Sequence, residues 1–138
     1  MAGSTKLGGQ LFPRKRYTGD TSPRVFSPPD RSKVARLFGQ GYRLHLHVRI
    51  YDLSANDPEV SINFLHGCFG EELPSDALRF FPLTPTTTSP SMPYVTAPDD
   101  GYIVVELGMG MVDVGLQVSG TGPCWGEVEV WYTLELEK

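Results

Sequence analysis

Two histidines one residue apart, His45 and His47, are the best-spaced candidates for metal chemistry in this 138-residue chain. Alternate positions of a strand point to one side, so both imidazoles could reach one ion, with His66 as a third ligand. Arg43 and Arg49 bracket the pair. They repel a cation, no carboxylate stands nearby in sequence, and a polar outer strand face is the plainer reading. No metal and no cofactor is expected. The carboxylates Glu71-Glu72, Asp99-Asp100 and the ladder Glu127, Glu129, Glu135 and Glu137 come next. Pairs of them could hold Ca²⁺ or do acid–base work. Nothing fixes the spacing between pairs, however, and like charges along a strand also discourage wrong edge pairing. A solvated face accounts for the ladder equally well. There is no Gly-x-Ser-x-Gly turn, and neither Cys68 nor Cys124 sits in a motif with a histidine partner. Gly108-Met109-Gly110 lacks the following helix or lysine of a phosphate loop. The chain does not read as an enzyme.

Charge carries a stronger signal. Through Gln40 the chain holds eight cations, Lys6, Arg14, Lys15, Arg16, Arg24, Arg31, Lys33 and Arg36, against Asp20 and Asp30 alone. From Gly41 onward four cations face fourteen carboxylates, and the whole carries −4. Phosphate backbones bind lysine and arginine by counterion release, which needs charge density rather than a motif. The eight cations are therefore the candidate nucleic-acid contacts, with Phe12, Tyr17 and Phe26 available to stack. A solubilising or partner-docking tail explains them as well.

The elements that must position these groups are strands. Residues 1–29 show almost no period and many breakers (Gly8-Gly9, Pro13, Gly19, Pro23, Pro28-Pro29), so they read as an extended, mobile arm. A short helical turn is predicted near 32–38, with Ser32 as N-cap and Gly39 just past its end. After Gly41 the period becomes two. Leu44, Leu46, Val48 and Ile50 alternate with Arg43, His45, His47 and Arg49. A second strand, Val60–Phe64, is expected to pair antiparallel with the first. A third is placed at Ala77–Phe81, and others at Tyr102–Leu107, Met111–Val118 and Glu127–Glu137. The proline-rich stretch from Pro82 to Pro93 is too long for a hairpin and should cross the molecule or cap an end. Fifteen glycines, twelve prolines and no long helical period give an all-β fold, a jelly-roll or Greek-key β-sandwich over 41–138 with a flexible basic arm over 1–40. No apolar run is long enough to span a bilayer, no leader peptide is expected, and the two cysteines read as small buried residues.

A basic arm before a compact β domain resembles the plan of coat proteins from small icosahedral positive-strand RNA viruses. Residues Gly126-Glu127-Val128-Glu129-Val130-Trp131-Tyr132-Thr133-Leu134-Glu135-Leu136 are similar to the last jelly-roll strand of tombusvirus-like shell domains. Val112 to Gly122 resembles the strand and small-residue loop before it. The resemblance covers about a third of the chain, whose body is short for a shell domain and closer to a satellite-type coat. It implies a capsid protein located in the virion: copies self-assemble into a shell, and the arm contacts RNA inside it. The other reading is a lectin-like or receptor-binding module, cytoplasmic or on a viral projection. In that reading the loop from Thr84 to Pro98 and an exposed Trp131 carry recognition.

Overall fold

The computed structural model describes residues 6–67, 81–107 and 110–136. Alternation builds its central strands as the sequence dictates. Leu44, Leu46, Val48 and Ile50 of β3 (Arg43–Leu53) are all buried, and Val128, Val130 and Leu134 of β9 (Cys124–Glu135) join them. β4 (Glu59–Gly67), β7 (Asp99–Glu106) and β8 (Met111–Ser119) follow the same rule, each giving one face to the core.

Two antiparallel sheets result. With β1 (Lys6–Gly19), β2 (Arg24–Phe26), β5 (Phe81–Pro82) and β6 (Thr87–Ser89), sheet A runs β1-β9-β3-β7-β6 and sheet B runs β2-β8-β4-β5. Leaving aside the short edge strand β6 and the β4–β5 pair, which shares sheet B, consecutive strands wind from one sheet to the other as two Greek keys. The fold is a jelly roll. Among the described residues one helix, α1 (Arg31–Phe38), lies between β2 and β3 and packs against β8.

Three expectations change. The N-terminal segment is not a flexible arm. Lys6–Gly19 forms β1, which is hydrogen-bonded to β9 from Lys6↔Glu135 to Gly19↔Cys124. Leu11, Phe12 and Tyr17 are buried in the common core. Bulges between Gln10 and Lys15 turn the adjacent Leu11 and Phe12 both inward, which erases the period-two pattern. Second, β3 and β4 do not pair with each other. β3 lies between β9 and β7, and β4 between β8 and β5, because the chain crosses from sheet A to sheet B between β3 and β4. Third, Asp30 rather than Ser32 occupies the N-cap position of α1, in a left-handed conformation with φ 54° and without a side-chain bond to the helix. The residues from 82 to 93 do cross the molecule, from β5 in sheet B to β6 in sheet A. Gly39 ends α1 at φ −65°, so it supplies space rather than a positive φ: a Cβ there would strike the Gly110 carbonyl. Cys124 is buried, as expected, and burial raises its thiol pKa. Cys68, Glu71-Glu72, Gly108-Met109 and most of the strand expected at 77–81 lie outside the described residues.

Two phenols sit inside the sandwich. The Tyr17 hydroxyl donates to the Pro13 carbonyl at 2.6 Å, whereas the Tyr94 hydroxyl has no partner among the described residues. Burial, aided by Glu129 for Tyr17 and by Asp99 for Tyr94, pushes both pKa values up to about 12. The folded state therefore holds these protons more tightly than the unfolded chain does. Their stabilisation is complete below the unfolded value of about 10 and is lost as pH rises toward 12. Urea melts at pH 9 and pH 11.5 are expected to differ by about 1–3 kcal/mol per phenol. In Tyr94→Phe the alkaline loss should be smaller.

Candidate functional site

The outer face of sheet A carries most of the polar chemistry that the sequence singles out. β1 contributes Lys6, Arg14 and Arg16, β9 contributes Glu127, Glu129 and Glu135, β3 contributes Arg43, His45, His47 and Arg49, and β7 contributes Asp100 and Glu106. Basic and acidic strands thus alternate across four strands. One row reads Lys6–Glu135–Arg43–Glu106. Opposite charges directly across a ladder attract and like charges repel, so this register is self-consistent. The opposite charges of the two parts of the chain are, in large measure, strand partners.

The pairs are specific. Arg14 meets Glu127 at 2.7 Å and lies 3.6 Å above the Tyr51 ring, and Arg16 reaches the same carboxylate at 3.7 Å while stacking 3.9 Å from Trp125. Arg43 joins Glu106 at 2.9 Å and Glu135 at 3.6 Å. The histidines have carboxylates after all, brought from distant strands: His45 Nε2 lies 2.7 Å from Glu135 and His47 Nε2 lies 2.8 Å from Asp100. His45 Nε2–H donates to Glu135, and its free Nδ1 accepts from the Tyr102 hydroxyl, giving a Tyr102–His45–Glu135 chain. The bond from His45, with Arg43 and Lys6 nearby, holds the Glu135 carboxyl below its ordinary range. Glu129 is lowered likewise, first by the Tyr51 hydroxyl, then by Trp131 and Gln10. His66 lies in β4 of the other sheet, and among the described residues no three potential ligands cluster for a metal.

The remaining candidate cations scatter. Arg31, at the start of α1, grips Asp113 of β8 with two bonds of 3.1 and 2.6 Å. Arg24 donates to Thr18 Oγ1 at 3.1 Å, and the Lys15 ammonium sits 5.1 Å from the Tyr17 ring. Lys33 and Arg36 lie on α1. The fold therefore brings Arg14 and Arg16 together on sheet A and leaves Arg31, Lys33 and Arg36 around the helix.

No known family model matches the sequence, and no curated protein matches it. Among solved structures, the SPBc2 prophage-derived protein YomS is 14% identical, covering 97% of this chain and 96% of that one at a TM-score of 0.48. A Bacillus endospore appendage, from a family of disulfide-linked pili, is 10% identical over 99% and 93%, at 0.36. A chain of Triatoma virus is 8% identical over 96% of this chain and 64% of that one, at 0.42. Likenesses this distant carry no argument about activity. The jelly roll stands on its strand connectivity.

Two features went unread in the sequence. The first is an aromatic row: Trp131 and Tyr102 face outward on either side of His47, at 45% and 44% exposure. Alternation marks each as outward, but only the register of three strands makes them neighbours. The second is an apolar cleft of about 540 Å³ on sheet B, walled by Val25, Phe64, Leu65, Leu83 and Pro85 with Arg31 and Asp113 at its side. Its walls come from four separate segments, so no local pattern announces it.

Proposed function

We propose that this chain is a self-assembling structural protein of the viral-shell type, with no catalytic step of its own. The observation that carries the reading is the connectivity β1-β9-β3-β7 against β2-β8-β4-β5, the two-Greek-key winding used by capsid and lectin domains. Fold-level analogy of this kind says how the chain is built, and the site must say the rest. Support from the site is that its ionisable groups neutralise one another across strands on an open face. The clefts of about 540 and 670 Å³ lie elsewhere, and in the second one burial raises the Cys124 thiol pKa rather than lowering it. Copies would associate through loops and sheet faces rather than through β1, because Lys15, Pro13 and the bulges blunt that edge.

RNA contact belongs to the same proposal, in a reduced form. Arg14, Arg16 and Arg31 are committed to carboxylates of the chain itself. The expected slope of log affinity against log salt for single-stranded RNA is then shallower than the about −5.6 that all eight cations would give.

Light scattering of the purified protein, with absorbance at 260 and 280 nm, tests the proposal. A large uniform particle is expected, and a raised 260/280 ratio adds RNA to it. A monodisperse monomer or trimer free of nucleic acid overturns the shell.

A further inference from the structure

Exposed aromatic rings on the open face of a sheet call for a reason, since Trp131 and Tyr102 could have been polar without disturbing the core. Tyr102 is tethered by its polar end: its hydroxyl is bonded to His45, two positions along β3 from its own ladder partner His47. A ring fixed at its polar end cannot swing freely, so its π-face is presented in a set orientation at little further entropic cost. The row across the sheet reads Gln10–Trp131–His47–Tyr102–Ser89. Trp131 and Tyr102 are two strand spacings apart, about 9.5 Å. Between them stands His47, half exposed, with Asp100 beside it equally open.

We infer that this face, centred on Trp131, His47 and Tyr102, is a binding platform for an unbranched neutral oligosaccharide. A pyranose ring offers a flat array of C–H bonds, weakly positive, to the negative face of an aromatic ring, and its rim of hydroxyls seeks acceptors. The row supplies both: two π-faces far enough apart for separate sugar rings of one short chain, and between them an imidazole and a carboxylate. Charge selects against the other stacking ligand. Beside the aromatic row runs Glu129–Arg49–Asp100, two carboxylates to one guanidinium, and on its other side Thr133–His45–Val104 carries no anion-binding arginine. A phosphate or sulfate chain laid along these rings would meet the Glu129 and Asp100 carboxylates, whereas a neutral glycan finds acceptors in them. The inference stands apart from the shell proposal, since a monomer would present the same face.

The full chain is titrated calorimetrically with cellopentaose, maltopentaose and mannopentaose. At least one is expected to bind. Trp131→Ala and Tyr102→Ala should each weaken it at least tenfold, while Leu83→Ala, in the sheet B cleft, should leave affinity unchanged. Far-UV circular dichroism checks that the variants keep the fold. A polyanionic dextran sulfate should not compete. Absence of binding by all three sugars at millimolar concentration overturns the inference, as does binding that survives both aromatic substitutions. If Trp131→Ala instead shrinks the particle seen by light scattering, the face belongs to a second copy of the chain and the sugar assignment falls. Loss of sugar binding with particle size unchanged separates this inference from the assembly reading.

Discussion

Deletion of residues 1–29 is expected to abolish cooperative folding rather than merely to remove a tail. The deletion takes away β1 and β2, the outer strand of each sheet. Leu11, Phe12 and Tyr17 leave the core with it, all three no more than 2% exposed. Burial of a large apolar side chain is worth about 1.5–3 kcal/mol, so these three together supply about 4.5–9 kcal/mol. A domain of this size has only about 5–15 kcal/mol of net stability. The long ladder on β9 is lost too, and β9 becomes an open edge beside an exposed core, a template for aggregation. Near-UV circular dichroism and a thermal melt decide the matter. The truncated chain should lack fixed aromatic signals and a sharp transition. A truncated protein that melts sharply near the temperature of the full chain would return the segment to the status of an arm. Replacing Lys6, Lys15 and Arg24 with glutamine in the full chain is the matching control, and it should cost little because none of the three carries the core.

That contrast marks how far the sequence could be read. Strands with one clean buried face were legible, since each alternating residue of β3 and β9 reports its own side without knowledge of its neighbours. β1 was not. Gly8-Gly9, Pro13 and the inward pair Leu11-Phe12 break the alternation, and what makes the segment a strand is β9, more than a hundred residues away. The same distance hid the site. Arg43, His45, His47 and Arg49 read as a basic face without carboxylate partners, yet Glu135, Glu106 and Asp100 arrive from two flanking strands. The charge imbalance between the ends of the chain was plain from composition. Its meaning was not, because composition cannot separate cations meant for a phosphate backbone from cations meant for β9. The all-β class survives such errors because it depends on local period and turn residues alone.

A second large effect is expected where Tyr94 packs against Gly101 in the core between the two sheets. Tyr94 is anchored to sheet B by paired backbone bonds with Val60, of 2.7 and 3.0 Å, and its ring reaches across to sheet A. It ends against Gly101 of β7, where a Cβ would overlap the ring and hydroxyl of Tyr94. Gly101 is needed here for closeness, not for backbone freedom. Overfilling a packed core costs about 1–3 kcal/mol, and the close approach puts Gly101→Ala toward the upper end and Gly101→Val beyond it. Tyr94→Phe should be nearly neutral, because the hydroxyl it removes is buried without a partner among the described residues and carries a desolvation penalty. Tyr94→Ala alone should cost about 3–5 kcal/mol through the cavity it leaves. In that background the new methyl of Gly101→Ala has room, so its added cost should fall to near zero. The coupling energy in the double-mutant cycle is then about 1–3 kcal/mol, read from urea midpoints at constant m-value. Additive losses would mean that Tyr94 does not fill the slot above Gly101. A large coupling would identify this contact as the pin that sets the spacing of the sandwich, and with it the flatness of the outer face on which Trp131, His47 and Tyr102 are arrayed. Position 101 lies directly beside Tyr102, so any shift of β7 outward moves one ring of that row relative to the other. Gly101→Ala is accordingly expected to disturb the aromatic row even at temperatures where the protein remains folded.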